Sequence, residues 1–240
     1  MSIIDFYCMP GSPPCAFLDL TGAMLGIDHR FRYHSKEFRR SETLEEDFIK
    51  INPQHTVPVI IDEGFTLWES RAICKYLVAK YGKEEHKNLY PADIKTRAII
   101  DQRLDFDLGI LYARFYEYYY WQLIDGSPLS EVRFKLLQEA LGFLNSFLEG
   151  SKFAVGSNMT LADLNILVSI ETMRISGIGV EQYPNIVRWF ELVKSMTPKF
   201  EKIMKPYRKH HNDVVDHYLE ATVFQRNQKI ISDLATSDKN

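Results

Sequence analysis

The residues with most chemical potential lie in Cys8-Met9-Pro10-Gly11-Ser12-Pro13-Pro14-Cys15. This stretch joins a short apolar run (Ile3, Ile4, Phe6, Tyr7) to an apolar helical run (Ala16, Phe17, Leu20, Ala23, Met24, Leu25). A strand that breaks at Pro-Gly and sets a hydroxyl at a helix N-terminus suits an anion, because free N–H groups and the helix dipole both favour negative charge there. The Ser12 hydroxyl can either cap that helix or stabilise the anion. Pro13 and Pro14 have no N–H, so only the Cys15 N–H remains within capping reach, which makes the capping use the less comfortable one. Dithiol redox chemistry needs a cysteine where Ser12 stands, so Cys15 reads as a packing residue.

Two further groups could contact a ligand. Glu69-Ser70-Arg71 opens a helix with apolar positions at Ile73, Tyr76 and Leu77. It is either an ordinary helix start, with Glu placed for the dipole, or a second seat for a carboxylate. His55 follows Asn52-Pro53-Gln54, and a lone histidine is usually structural or solvated. Tyr112, Phe115, Tyr116, Tyr119, Tyr120 and Trp121 form a dense aromatic tract in which positions 112, 116, 119 and 120 share a helical face. They line a cleft or fill a core. Thr160-Leu161-Ala162-Asp163 has the form of a capping box, which gives Asp163 a structural role. His210, His211 and His217 lack the carboxylate or cysteine pattern of a metal site, so no metal is expected.

The elements that must position these residues divide the chain in two. Residues 3–7 read as a strand, 13–26 as a helix ending at Gly26, and 30–34 as a second strand; 35–47 is a loop or loose helix. Val57–Ile61 and Phe65–Leu67 are strands joined by the turn Asp62-Glu63-Gly64, and a helix runs from Glu69 to Gly82. This β-α-β-α-β-β-α order gives a small α/β domain over residues 1–82, followed by a polar linker over 83–92. From 93 to 210 helical spacing dominates, with helices over 93–123, 130–149, 160–176 and 184–195. Residues 211–240 form an extension whose apolar spacing (Val215, Tyr218, Leu219, Val223, Ile230, Ile231, Leu234) hints at a helix with a disordered end.

Composition narrows the function classes. The chain has 240 residues, 45% hydrophobic and 25% charged, enough for a packed core. A net charge of −3 argues against a nucleic-acid partner. No apolar run approaches a membrane span and no secretory leader is evident, so a cytoplasmic protein is expected. Three cysteines are too few for a disulfide framework.

Five motifs in order carry a family resemblance: Pro10-Gly11-Ser12-Pro13-Pro14-Cys15, Ile51-Asn52-Pro53-Gln54-His55-Thr56-Val57-Pro58, Leu67-Trp68-Glu69-Ser70-Arg71-Ala72-Ile73, Tyr118-Tyr119-Tyr120 and Thr160-Leu161-Ala162-Asp163. Over residues 3–205 the chain resembles the cytosolic glutathione transferases, most closely the insect delta class. The resemblance implies a thioredoxin-like N-terminal domain and an all-α C-terminal domain. It implies conjugation of the glutathione thiolate to hydrophobic electrophiles, with Ser12 as the catalytic residue; a glutathione peroxidase or isomerase on the same scaffold, or a non-catalytic carrier, is the alternative. Glutathione is the cosubstrate, held by His55 at its glycine end, by Thr56 and a cis Val57-Pro58 turn at its cysteinyl part, and by Glu69, Ser70 and Arg71 at its γ-glutamyl end. Met9, Pro14, Tyr112, Phe115, Tyr116, Tyr120 and Tyr207 form the hydrophobic-substrate wall, and the protein is a homodimer. The chain departs from the delta pattern at two points. Thr43 stands where a second histidine is expected, with Lys36, Arg39 or Arg40 as its replacement. Pro13 removes an N–H near the sulfur and so leaves the thiolate more dependent on Ser12.

Overall fold

A computed structural model describes residues 2–36, 41–125, 128–213 and 215–217. Its first half is organised by strand β1 (Ile4–Cys8), one of the two inner strands of a four-stranded sheet. β1 runs parallel to β2 (Phe31–Ser35) and antiparallel to β3 (Val59–Asp62), which pairs with β4 (Phe65–Trp68). Ile4 and Phe6 are fully buried, as the period-two side-chain alternation of a strand requires. Helix α1 (Pro13–Met24) links β1 to β2 and ends at Gly26, whose φ of 67° is cheap only for glycine. Glu63 and Gly64, with φ of 53° and 85°, make the tight β3–β4 turn. A short helix, α2 (Glu46–Ile51), precedes β3, and α3 (Ser70–Tyr81) follows β4. The buried Asp62 carboxylate ties α3 to the sheet, accepting from the Tyr76 and Tyr81 hydroxyls at 2.8 Å and from Lys80 Nζ at 2.9 Å. This is the expected thioredoxin-like domain.

Residues 83–92 are anchored: Leu89 is buried and its carbonyl accepts from the Leu161 N–H at 2.9 Å. Helix α4 (Ile94–Phe106) starts on Asp93, whose carboxylate accepts from the Thr96 N–H at 2.8 Å. Then come α5 (Tyr112–Asp125), α6 (Glu131–Phe147), α7 (Leu161–Ile175) and α8 (Pro184–Met196). α7 is the core element, buried on every side from Leu161 to Met173, and it packs on α1 across the two halves. The Thr160–Asp163 capping box forms as expected. Its Asp163 also accepts from the Ala154 N–H at 2.7 Å and from Trp189 Nε1 at 2.8 Å, so the cap holds a loop and α8 as well.

Two departures from the sequence reading concern the site. The single helix expected over 93–123 is interrupted by a π-helical turn at Asp107–Leu111, which separates α4 from α5. A further helix, α9, covers residues 200–213. Its Phe200, Met204, Tyr207 and His211 are buried at helical spacing, so the helix runs through the boundary set at residue 210. The helix expected over 215–234 lies almost wholly outside the described residues, as do Arg39 and Arg40.

Candidate active site

Two cavities flank the N-terminal turn of α1. The first, about 230 Å³, lies where α3 starts and is lined by Thr56, Val57, Pro58, Glu69, Ser70 and Arg71 from the first half, with Pro13 and Pro14 of α1. From the helical half come Asp107, Leu108, Tyr112, Asn165, Val168 and Ser169. Six of the seven residues assigned to glutathione therefore share one cavity; His55 does not line it.

The local geometry follows from the sequence. The buried Asn52 braces the loop before β3: its Oδ1 accepts from the Gln54 N–H at 3.0 Å, and its Nδ2 donates to the Thr56 carbonyl at 2.9 Å. That bracing holds His55 at a φ of 46° and leaves it exposed. The Val57-Pro58 bond is cis, and Val57 precedes the β3 ladder. Glu69 has φ 69° and ψ 105°, outside the allowed regions for a non-glycine residue. Such a conformation costs on the order of 1–3 kcal/mol and concentrates at ligand-binding positions. Glu69 places no side-chain cap on α3 and the first turn of the helix has no acidic residue, so this N-terminus opens uncompensated into the cavity.

Sequence reasoning missed Asp107. It is fully buried, starts the π-turn, pairs with the Arg71 guanidinium and accepts from Asn165 Nδ2 at 2.7 Å. Burial raises its carboxyl above the usual range, against the opposing pull of Arg71, Ser169 and Asn165. Two buried atoms of this pair have no hydrogen-bond partner, Arg71 Nε and Asp107 Oδ1. The available signal was a carboxylate between Phe106 and Leu108 in a helical tract, and π-turns collect at functional sites.

Ser12 faces the second cavity, about 290 Å³ and chiefly apolar, with Cys8, Met9, Gly11, Cys15, Asp19, Tyr33, Ser35, Ile203 and Tyr207. Ser12 is the N-cap residue of α1, but its side chain makes no capping bond, and Pro13 and Pro14 occupy the first helical positions. Burial pushes the Cys8 and Cys15 thiols up to about 12, so both are neutral and inert as nucleophiles. Helix α9 closes the cavity: a Cβ on Gly11 would lie 2.8 Å from His210 Cδ2.

The hydrophobic-substrate wall is not continuous. Met9 and Tyr207 line the Ser12 cavity, while Pro14 and Tyr112 line the other. Tyr112 and Tyr120 each pack on Phe115 with ring centroids 5.7 Å apart, and the buried Tyr207 has its Oη 2.7 Å from Thr172 Oγ1. Phe115 is corrected to a core residue; it has no exposed surface and stacks on Tyr119 at 5.4 Å. Tyr116 points outward, 41% exposed, and lines neither cavity. Helical spacing shows which residues share a face, but the π-turn before α5 adds a residue and changes where that face looks. Thr43 is buried and lines neither cavity; Lys36 pairs with Glu45 at 2.9 Å. Among the described residues no group of three His, Cys, Asp or Glu could hold a metal, and no helix is long and apolar enough to cross a membrane.

Residues 6–85 match the model of the glutathione S-transferase N-terminal domain, and residues 126–195 that of the C-terminal domain. A delta-class glutathione transferase of Nilaparvata lugens is 40% identical, with a TM-score of 0.84 over 90% of this chain and 99% of that one. A glutathione transferase of Bombyx mori is 39% identical, with a TM-score of 0.84 over 89% and 98%. A glutathione transferase homologue of Drosophila mojavensis, solved with bound glutathione, is 27% identical, with a TM-score of 0.82 over 91% and 98%.

Proposed function

The chain belongs to the glutathione S-transferase family and is a glutathione transferase; on that premise we propose that Ser12 activates the thiol and that the α3 cavity seats the γ-glutamyl end. The observation that carries the second part is the unpartnered pair, Arg71 Nε and Asp107 Oδ1, on two residues that line this cavity. An α-amino acid head supplies their complements, a carboxylate to accept and an ammonium to donate. The open N-terminus of α3 at Ser70 adds donors for the carboxylate, and Glu69 adds a second acceptor for the ammonium. The cysteinyl part lies along Val57 and the glycine carboxylate reaches toward the exposed His55. The sulfur then comes to the α1 turn between the two cavities.

A free thiol of pKa about 8.5 is mostly protonated at neutral pH, and the thiolate is the nucleophile. The Ser12 hydroxyl donates to the sulfur and the N-terminus of α1 favours the charge. Lowering the pKa by about two units needs roughly 2.7 kcal/mol, which one charge-assisted hydrogen bond plus a dipole can supply. Because Pro13 and Pro14 offer no N–H, the hydroxyl carries most of this. The proton leaves to solvent, the thiolate forms a bond to an electrophilic carbon, and a leaving group such as chloride departs with its bonding pair. The apolar Ser12 cavity, with Met9 and Tyr207, takes the electrophile. The same proposal includes a homodimer; sedimentation at the 28.0 kDa of one chain would refute that.

The test is a titration of enzyme-bound glutathione by thiolate absorbance, with turnover of a chloronitroaromatic alongside. Ser12→Ala should raise the bound thiol pKa by about one to two units and lower turnover at neutral pH in proportion. An unchanged pKa removes Ser12 from catalysis.

A further inference from the structure

The Ser12 cavity contains one feature that an apolar electrophile does not use. Asp19, on the same face of α1 as Ser12, is among its lining residues. Its Oδ1 accepts from the Tyr33 hydroxyl at 2.8 Å, and no described residue bonds to Oδ2. Lys199, just before α9, is paired with Asp28. A carboxylate in a largely apolar wall, with a neutral partner on one oxygen only, is poorly solvated and attracts a cation strongly. We propose that this cavity selects apolar electrophiles that end in a protonated amine, with the Asp19 carboxylate as the amine's partner. The inference rests on the reading of Ser12 as the thiol-activating residue.

The spacing sets the substrate's shape. Seven residues on a helix are two turns, so Ser12 and Asp19 are separated by about 10 Å along α1. The reactive carbon sits at the Ser12 end and the nitrogen at the Asp19 end, joined by an apolar linker against Ile203, Cys8 and Ala16.

The groups around Asp19 fix its pH behaviour. On α1 there is the Cys15 thiol, on β1 Cys8, on β2 Tyr33 and on α9 Tyr207, with His210 against Gly11; Asp28 follows α1. The two thiols and both phenols have pKa values raised by burial, so they are neutral near pH 7. Burial pushes Asp19 up to about 6, opposed by Tyr33 and reinforced by Asp28. The carboxylate is thus charged at pH 7.5 and lost as pH falls through 6.

The experiment uses two chloronitrobenzamides with equal chains, one aminobutyl and one pentyl, with the full chain and glutathione. At pH 7.5 the aminobutyl compound should be favoured in kcat/KM by about tenfold or more, the range of a charge-assisted hydrogen bond in a dry site. Asp19→Asn, which keeps the acceptor for Tyr33, should bring the ratio to about one. In the unmodified protein the preference should fade between pH 7 and pH 5, a readout that needs no variant. Equal turnover of the two compounds, or a preference that survives Asp19→Asn, overturns the proposal. Calorimetric binding of both compounds separates it from the catalytic reading. Preferential binding of the amine without turnover of either compound refutes Ser12 catalysis alone, and equal binding refutes the role of Asp19.

Discussion

The Arg71–Asp107 pair gives the sharpest test of how the site is held. Asp107 is fully buried and Arg71 retains 18% side-chain exposure on the cavity wall. Asp107→Asn keeps the shape and an acceptor but removes the charge that compensates the guanidinium. Deleting one member of a buried pair costs about 3–5 kcal/mol, and the opening of Arg71 to the cavity reduces this to about 2–4 kcal/mol. For a chain of this size each kcal/mol shifts Tm by roughly 2–4 °C, so the variant should melt about 5–15 °C lower. The double variant Arg71→Met/Asp107→Leu should recover most of that loss, since apolar replacement of a whole buried pair is close to neutral. It should still bind glutathione about 10- to 100-fold more weakly, because two charge-assisted contacts to the γ-glutamyl head are gone. Thermal unfolding and calorimetric titration with glutathione read the two effects separately. If Asp107→Asn melts with the unsubstituted protein, the pair does not bear the electrostatic load assigned to it. If the double variant binds glutathione normally, the γ-glutamyl end lies elsewhere.

Other outcomes follow from single residues. His55→Ala should raise KM for glutathione about three- to tenfold with kcat nearly unchanged, because an exposed residue outside the cavity adds binding common to ground and transition states; a matching fall in kcat would contradict this. Asp163→Ala strips acceptors from the Ala154 and Thr160 N–H groups and from Trp189, and should cost about 3–5 kcal/mol by denaturant unfolding. His211, buried against Tyr119, Tyr120 and Tyr207, has its pKa lowered by burial from 6.5 to about 4. Between these values the unfolded chain binds a proton that the folded one refuses, so stability present above pH 6.5 is lost as pH falls toward 4. Unfolding free energies from denaturant titration over that range should fall by about 3 kcal/mol, and His211→Phe should flatten the slope.

The sheet was legible because its signals are local. β1 is an apolar run stopped by Pro10-Gly11, and the Glu63-Gly64 turn announces its hairpin. The α3 start was legible for the same reason, and so was the capping box at Thr160. What escaped depends on tertiary position. Helical periodicity runs smoothly through Asp107, and nothing in it marks a π-turn or the partner Arg71, thirty-six positions earlier. The buried face of α9 is spaced as any amphipathic helix, yet Pro206 and the polar residues between hide it. Phe115 and Tyr116 are neighbours of the same type, and only the orientation of α5 sends one to the core and the other to solvent. Residue type did not indicate that Ser12 and the α3 residues would face different cavities.

The close approach of His210 to Gly11 joins the turn that carries Ser12 to α9. During synthesis the serine emerges early, but its cavity lacks a roof until α9 has cleared the ribosome. An N-terminal fragment made alone would carry Ser12, Val57 and the Glu69–Arg71 turn and still present an open trough in place of a pocket. The Ser12 cavity is therefore complete only once both halves have docked.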